Sequence, residues 1–313
     1  MRAALLHGPG DLRVEEVAEP EGEVLVRVAA ATACGTDVKM LRHGHRVLEP
    51  YPARFGHETA GVREDTGERV LVGDSVACGT CPPCCAGRPQ VCRAMRWVLG
   101  GFAERIAAPA AALHAIPDGL DLPGAAMPEP LAACVHAVAR AGRSDAADAG
   151  DVAVLGGGTM GLMIARLLVL EGRDVTLCDR HPERRAQAEA LGARAVERLA
   201  AHDLVFEAVG RPEAWRAAVE AAAPGGTVVL VGGCPGGTDV SLAAGALHYD
   251  ELDVRGAFHH SRAEVDSAIG LLAFGAIDWR ALAGETVGLD ALGEALARPA
   301  GGEARKLIVD PSA

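Results

Sequence analysis

The sequence predicts an α/β chain: a β-rich first part followed by a parallel, doubly wound sheet. Three observations carry this. Residues 151–179 read as strand, glycine turn, helix and strand. After them, short apolar runs alternate with helical stretches and glycine turns as far as residue 258, the pattern of a parallel sheet with helices on both faces. Before them, the first 33 residues break into short strand-like runs separated by His-Gly-Pro-Gly and Glu-Pro-Glu-Gly, which is turn chemistry.

Taken in order, 2–6, 12–17 and 23–31 are expected strands, the last leading into Cys34. β character returns at 102–107 and 113–116, and 125–141 has helical composition interrupted early by Pro128 and Pro130. Small and polar residues over 142–150 form a connection. The run 152–155 is apolar throughout, as a strand buried on both faces should be. Gly156, Gly158 and Gly161 follow with G-x-G-x-x-G spacing, then a helix over 159–170 and a strand over 175–178 ending at Asp179. A helix at 182–192 has Pro near its start and Gly at its end. Strands at 204–209 and 227–231 flank a helix at 212–223 that Pro224-Gly225-Gly226 closes. A further strand is expected at 252–258, helices at 262–275 and 289–296, and a last strand at 305–309 that pairs back with the N-terminal β part.

The glycine stretch fits a dinucleotide. Gly156 permits the tight turn, Gly158 lets the backbone approach a pyrophosphate, and Gly161 lets helix and strand pack closely. Thr159 and Met160 open the helix, whose N-terminus offers free N–H groups and a positive dipole end. Asp179 lies 23 residues after Gly156, where a carboxylate can hold the ribose 2′-OH. That carboxylate favours NAD over NADP, with Arg180, Arg184 and Arg185 following closely as a possible counterweight.

Length and composition bound the rest. The chain has 313 residues, half of them hydrophobic, enough for one large or two medium domains. Its net charge of −12 argues against nucleic acid or an anionic membrane as main partner. Neither a secretory leader nor an apolar run of membrane-spanning length is evident, so a soluble cytoplasmic protein is expected. Nine cysteines then point to metal or reactivity rather than to disulfides. Against 28 arginines there are two lysines, Lys39 and Lys306. Such scarcity makes each a candidate for a chosen site.

Five of the cysteines fall between residues 78 and 92. Cys78, Cys81, Cys84 and Cys92 follow C-x2-C-x2-C-x7-C, and four thiolates on a tight loop close a tetrahedron around zinc. Such a site folds a lobe and does no chemistry; Cys85 is the spare thiol. A second set is dispersed: Cys34, then His57-Glu58, then Glu129. One thiolate, one imidazole and two carboxylates suit a catalytic zinc, which keeps an open or water-filled position.

The glycine loop, the four-cysteine lobe and Cys34…His57-Glu58…Glu129, in this order, resemble the zinc-containing medium-chain dehydrogenases and reductases. The Glu129-Pro130-Leu131 context resembles the sorbitol, threonine and polyol branch, where alcohol dehydrogenases place a cysteine. The resemblance implies a GroES-like β domain at 1–130 and 259–313, and a Rossmann domain at 131–258 inserted within it. Cys34 and His57 would be zinc ligands. Glu58 would be a ligand or a neighbour exchanging with water, and Glu129 would complete the shell directly or through water. Thr36 would hand the substrate proton onward, and Lys39 stands where alcohol dehydrogenases carry a relay histidine. Phe206 to Gly210, with Val209, would lie beside the nicotinamide ribose, and Val231 and Gly232 would line the cofactor. The segments after Glu58 and after Cys92 are shorter than the family's.

The implied activity is hydride transfer between a secondary alcohol of polyol, sugar, cyclitol or aminocyclitol type and NAD, with its ketone as the other partner. The alternatives are a reductase or lyase of the same fold that leaves the catalytic zinc unused, and a non-catalytic cofactor-binding homologue. A homodimer or homotetramer is implied too, with 252–258 as the interface strand.

Overall fold

The computed structural model describes residues 1–142, 151–298 and 302–313. Apart from Gly142, the connection expected over 142–150 lies outside the described residues. The chain divides into two compact units. One comprises Met1–Pro130, Ser261–Pro299 and Arg305–Ala313, the other Leu131–His260 and Ala300–Ala304. No helix among the described residues is long and apolar enough to cross a membrane.

The first unit is built around the strand Val24–Ala33. Its first half alternates, with Val24, Val26 and Val28 buried while Arg27 is exposed; from Ala30 onward it is buried throughout. Alternation marks a sheet with one wet face, and continuous burial marks the point where both faces are covered. Glu58–Arg63 pairs antiparallel on one side, placing Thr32 opposite Glu58. Lys306–Val309 pairs antiparallel on the other, placing Ile308 opposite Thr32. The C-terminal strand therefore lies in the same sheet as the N-terminal part of the chain. Arg69–Val72 and Leu113–Ala115 extend that sheet at one edge and Ala283–Val287 at the other, while Arg105–Ala108 pairs the start of the central strand. A smaller sheet joins Asp11–Glu16, Arg2–Gly8 and Ala53–Arg54. Phe55 and Phe102 pack edge to face beneath it, ring centroids 5.0 Å apart. The strand expected from residue 102 starts instead at Arg105, because Phe102 is given to this core contact.

The second unit holds a six-stranded, wholly parallel sheet. Its order is Arg194–Val196, Asp174–Cys178, Asp151–Leu155, His202–Glu207, Ala222–Leu230, Asp253–Gly256. Numbered within the unit this is 3-2-1-4-5-6, the doubly wound nucleotide-binding order. Right-handed crossovers send the helices to opposite faces on either side of the first strand. Thr159–Leu170 and Pro182–Ala190 serve one half, Pro212–Glu220 and Ala244–Tyr249 the other. The helix expected to reach residue 223 stops at Glu220, and Pro224-Gly225-Gly226 lies inside a strand rather than between elements. Parallel pairing explains this: Ala222 already pairs with His202, the chain bulges over the glycines, and pairing resumes at Thr227 opposite Leu204.

A core test follows from the aromatic pair. Phe102→Ala removes a fully buried ring, and thermal or denaturant unfolding of the first unit should show a loss of about 3–5 kcal/mol.

Candidate metal centre and nucleotide site

Cys34 ends the central strand and caps the helix Gly35–His43. The cap is reciprocal: the Cys34 sulfur accepts from Thr36 N at 3.2 Å, and Asp37 Oδ2 accepts from Cys34 N at 2.9 Å. A capping box of this kind fixes the entry angle of the helix, and here it also points Sγ at His57, whose Nε2 lies 3.2 Å away. The other ring nitrogen of His57, Nδ1, faces Asp37 Oδ1 at 3.1 Å. Asp37 is fully buried and His57 nearly so. A carboxylate facing Nδ1 favours the tautomer that leaves the Nε2 lone pair for a metal, the arrangement that supports metal-ligating imidazoles.

Glu58 lies next to His57 at the start of its strand, and Glu129 in the first turn of the helix Pro128–Ala141, with Pro128 and Pro130 where prolines are tolerated. Donor atoms of His57, Glu58 and Glu129 fall within 4.8 Å of one another, as do those of Cys34, Asp37 and His57. The sequence-predicted set is thus brought together with His57 at its centre. Both Glu58 oxygens are engaged within the protein: Oε1 accepts from Lys306 Nζ and Oε2 from the Thr32 hydroxyl. Thr36 and Lys39 lie exposed on the helix that Cys34 caps, three residues apart and so on one face.

The charges do not balance. Three buried carboxyl groups, Asp37, Glu58 and Glu129, and the Cys34 sulfur gather around His57 and the buried Lys306 ammonium. Burial pushes the Glu58 carboxyl up against the pull of Lys306, and burial pushes Glu129 up as well. Burial opposes a charge on His57, but Asp37 and then Cys34 outweigh it and hold its pKa well above the ordinary range. Lys306 is raised likewise, desolvation being overcome by Glu58 and Cys34. Burial thus raises the two carboxyl groups, while the neighbouring acids raise His57 and Lys306. A bound dication would compensate these buried carboxylates, and sulfur, imidazole and carboxylate donors within reach of one another fit zinc.

Cys78, Cys81, Cys84 and Cys92 converge in the same unit, sulfurs within 4.8 Å of one another. Cys81 lies 3.5 Å from Cys84 and 3.8 Å from Cys92. A tetrahedron with Zn–S bonds of 2.3 Å has edges of about 3.8 Å, so the cage fits the ion. Backbone N–H groups of Cys78, Cys81 and Arg93 point at the sulfurs of Cys92, Cys78 and Cys81. These bonds favour thiolates; Cys78 is lowered to about 6, chiefly by backbone hydrogen bonds at Thr80 and Cys81. Cys84 is pushed up to about 12, by desolvation and then by its thiol neighbour Cys81. Cys85 is exposed, outside the cage, its thiol toward the Thr80 carbonyl.

In the second unit the three glycines serve distinct ends. Gly156 has φ +107 and turns the chain at the end of its strand. A Cβ on Gly161 would lie 1.8 Å from the Gly156 carbonyl oxygen, whereas one on Gly158 would meet nothing within 4 Å. The open backbone at Gly158 caps the helix Thr159–Leu170, so a ligand can approach the unpaired N–H groups of Thr159, Met160 and Gly161. Asp179 Oδ2 accepts from Gly157 N at 2.7 Å and Oδ1 from His181 N at 2.8 Å, with Arg184 at 3.7 Å. Arg180 is exposed beside it. The adjacent strand ends in Glu207, which accepts from Val209 N and Gly210 N, both at 2.8 Å. The Val231–Gly232 turn follows the next strand, its Gly232 carbonyl accepting from the Trp215 indole. These loops stand at the carboxyl ends of the first and fourth strands, where the order reverses and doubly wound sheets bind nucleotides. The cradle fits a dinucleotide.

Asp37, three positions after Cys34, escaped the sequence reading, and Lys306 was singled out there without a place in this cluster. The first had a signal in the C-x-x-D spacing of a capping box, the second in the rarity of lysine.

Residues 20–118 match the alcohol dehydrogenase GroES-like domain and residues 158–273 the zinc-binding dehydrogenase domain. The 2-dehydro-3-deoxy-L-galactonate 5-dehydrogenase of Pseudoalteromonas atlantica is 30% identical, the match covering 95% of this chain and 94% of that one. Sorbitol dehydrogenase of Bacillus subtilis is 27% identical over 95% and 93%. A structure from Sinorhizobium meliloti 1021 described as a zinc-binding dehydrogenase bound to NADP superposes with a TM-score of 0.89 at 32% identity, covering 99% of both chains. Site and fold together define a zinc-type dehydrogenase with a GroES-like and a Rossmann part. The chain belongs to the medium-chain alcohol dehydrogenase family, and it is an oxidoreductase.

Two outcomes test the geometry. Asp37→Asn should weaken metal binding at the His57 site by about 10–100-fold, read by chelator competition. Cys81→Ser should lower the zinc content by one per chain and destabilise the cysteine lobe, read by metal analysis and proteolysis.

Proposed function

We propose that the chain oxidises a secondary alcohol of the polyol, sugar or cyclitol class with NAD as hydride acceptor, and runs the reverse reduction of the ketone. The observation that carries this is the acid-rich cluster around His57, whose ring groups with Cys34 and Asp37 and also with Glu58 and Glu129, donors suited to zinc. When bound, zinc supplies Lewis acidity at the substrate oxygen and the nicotinamide accepts the hydride. Cys34, His57 and Glu129 hold the metal, and Asp37 fixes the ring of His57 through Nδ1. Thr36 takes the alcohol proton to solvent, with Lys39 next along the exposed helix face. The glycine loop holds the pyrophosphate, and Asp179 holds the adenosine ribose. Val209, 44% exposed where its strand ends, gives the nicotinamide ring an apolar ledge.

The polyol class is supported by the sugar-acid and sorbitol dehydrogenases among the relatives. NAD is favoured because the Asp179 carboxylate repels a 2′-phosphate. NADP is the second reading, favoured by Arg180 and Arg184 beside that carboxylate and by the nucleotide in the Sinorhizobium structure. None of the nine cysteines is in a disulfide, which suits a reducing cytoplasm. Asp253–Gly256 has one strand neighbour among the described residues, and its open edge suits pairing with a second copy in a dimer or tetramer.

The deciding experiment follows NADH formation across polyols, cyclitols, amino-sugar alcohols and threonine. Turnover that chelation abolishes is expected; turnover that survives removal of the His57-site metal would instead favour a reductase or lyase, and NAD binding without turnover a non-catalytic role. Glu129→Ala should lower both turnover and metal content; undiminished values reject it as a ligand. Asp179→Ala should raise the apparent binding constant for NAD and shift preference toward NADP, measured by paired cofactor titrations.

A further inference from the structure

The chain is acidic, with a net charge of −12, yet its acids and bases are not evenly mixed. Between Asp37 and Glu49 it carries Lys39, Arg42, His43, His45 and Arg46 and not one acid. All five are exposed. They lie on the helix Gly35–His43 and on the short turn Arg46–Leu48 that follows it. The helix dipole accounts for Arg42 and His43 in the last turn. It does not account for Lys39 before them, or for His45 and Arg46 beyond the helix end. Nor is the charge taken up locally. Among the described residues neither Arg42 nor Arg46 has an ion-pair partner. Asp37, the acid of the helix itself, is buried against His57. The neighbouring hairpin, whose Gly10 N donates to the Leu41 carbonyl, and the helix Leu289–Ala297 also pack here. Their acids are engaged elsewhere: Asp11 by Arg13, Asp290 by Arg2 and Glu294 by Arg298. The turn is held in place as well. His45 N donates to the Tyr51 hydroxyl at 3.3 Å, and His45 Nδ1 accepts from Val47 N at 3.3 Å. With Nδ1 accepting, the neutral ring keeps Nε2–H as a donor.

The place of these charges relates them to the reacting centre. Thr36, Lys39 and His43 recur at steps of three and four and so share one helix face. The stripe begins two residues after Cys34, whose sulfur faces His57. Helical rise sets Lys39 and His43 about 4.5 and 10.5 Å beyond Thr36 along the axis. An extended six-carbon chain is about 6 Å long, so a sugar held by its reacting carbon at the His57 cluster has its far end within reach of the stripe. We propose that the substrate carries an oxyanion, a phosphate or a carboxylate, at the end remote from the carbon that is oxidised, and that Lys39, Arg42, His45 and Arg46 receive it. Guanidinium groups offer such an oxyanion paired N–H donors, while the ammonium and imidazole add single ones. A neutral polyol would leave these charges without a partner. The inference rests on reading the His57 cluster as the reacting centre of an alcohol dehydrogenase.

The test compares matched substrates on the zinc-loaded full chain: pentitols and hexitols, their terminal phosphates, and the corresponding aldonates. One charged form should exceed its neutral parent in kcat/KM by about tenfold or more, and which form gains tells phosphate from carboxylate. The advantage should shrink as potassium chloride is raised, because exposed charges are screened. The double variant Arg42→Gln/Arg46→Gln changes two exposed side chains and should cut the charged-to-neutral ratio by about tenfold, through KM for the charged form. Arg216→Gln removes an exposed arginine of the other unit and should leave the ratio as it was. A wild type that oxidises neutral polyols as well as both charged forms overturns the proposal and leaves the dehydrogenase reading standing. A ratio that survives in the double variant, or falls equally in Arg216→Gln, overturns the assignment to this stripe. A wild type that oxidises none of the compounds overturns the dehydrogenase reading and this proposal with it.

Discussion

The first unit depends on concentrating acid in its interior. Asp37, Glu58 and Glu129 are buried around His57 with Lys306 as their buried counter-charge. Burying ionised carboxylates is costly unless they are paired or bind metal. Burial raises the Glu58 and Glu129 carboxyl groups, and a divalent cation would compensate them. The arrangement of strands around Val24–Ala33 serves this constraint. It sets Thr32, Glu58 and Lys306 on one face and delivers Cys34 at the strand's end.

The two candidate metal sites differ in how their donors are arranged. In the cysteine lobe all four sulfurs meet one another and backbone N–H groups supply the outer contacts. Nothing is left over, which suits a site that only ties chain to chain. Around His57 the donors come from a strand end, a strand start and a helix start, with carboxylates in excess. Excess and dispersion are what a reacting centre needs, because each donor can be held separately while one position is left to the substrate.

Much of this was legible in the sequence where local rules and tertiary demands agree. The glycine loop showed its three roles because each rests on backbone sterics within a few residues. The four-cysteine lobe was legible from spacing, since a short loop leaves few other geometries. Asp37 was hidden because it looks like an ordinary helix-capping acid, and its second contact, to His57, comes from a distant strand. The clamp on Glu58 was hidden for the same reason at longer range: Lys306 is 248 positions away in sequence. The strand Ala222–Leu230 was hidden by its own Pro-Gly-Gly, which reads as a break yet is accommodated as a bulge between two stretches of parallel pairing.

The place of Lys306 in the chain has a consequence for biosynthesis. The nucleotide-binding sheet is made from residues 151–256 and needs no strand from the last segment, so it can form while the chain is still being made, as domains do on emerging. The metal cluster cannot reach its final charge balance then. Its counter-ion arrives with the strand Lys306–Val309, made after every strand of the nucleotide-binding sheet. Until that strand docks against Val24–Ala33, the carboxylates of the nascent site lack their ammonium and present an uncompensated anionic pocket. The charge balance of the cluster is thereby tied to the docking of a strand made long after Cys34, His57 and Glu58.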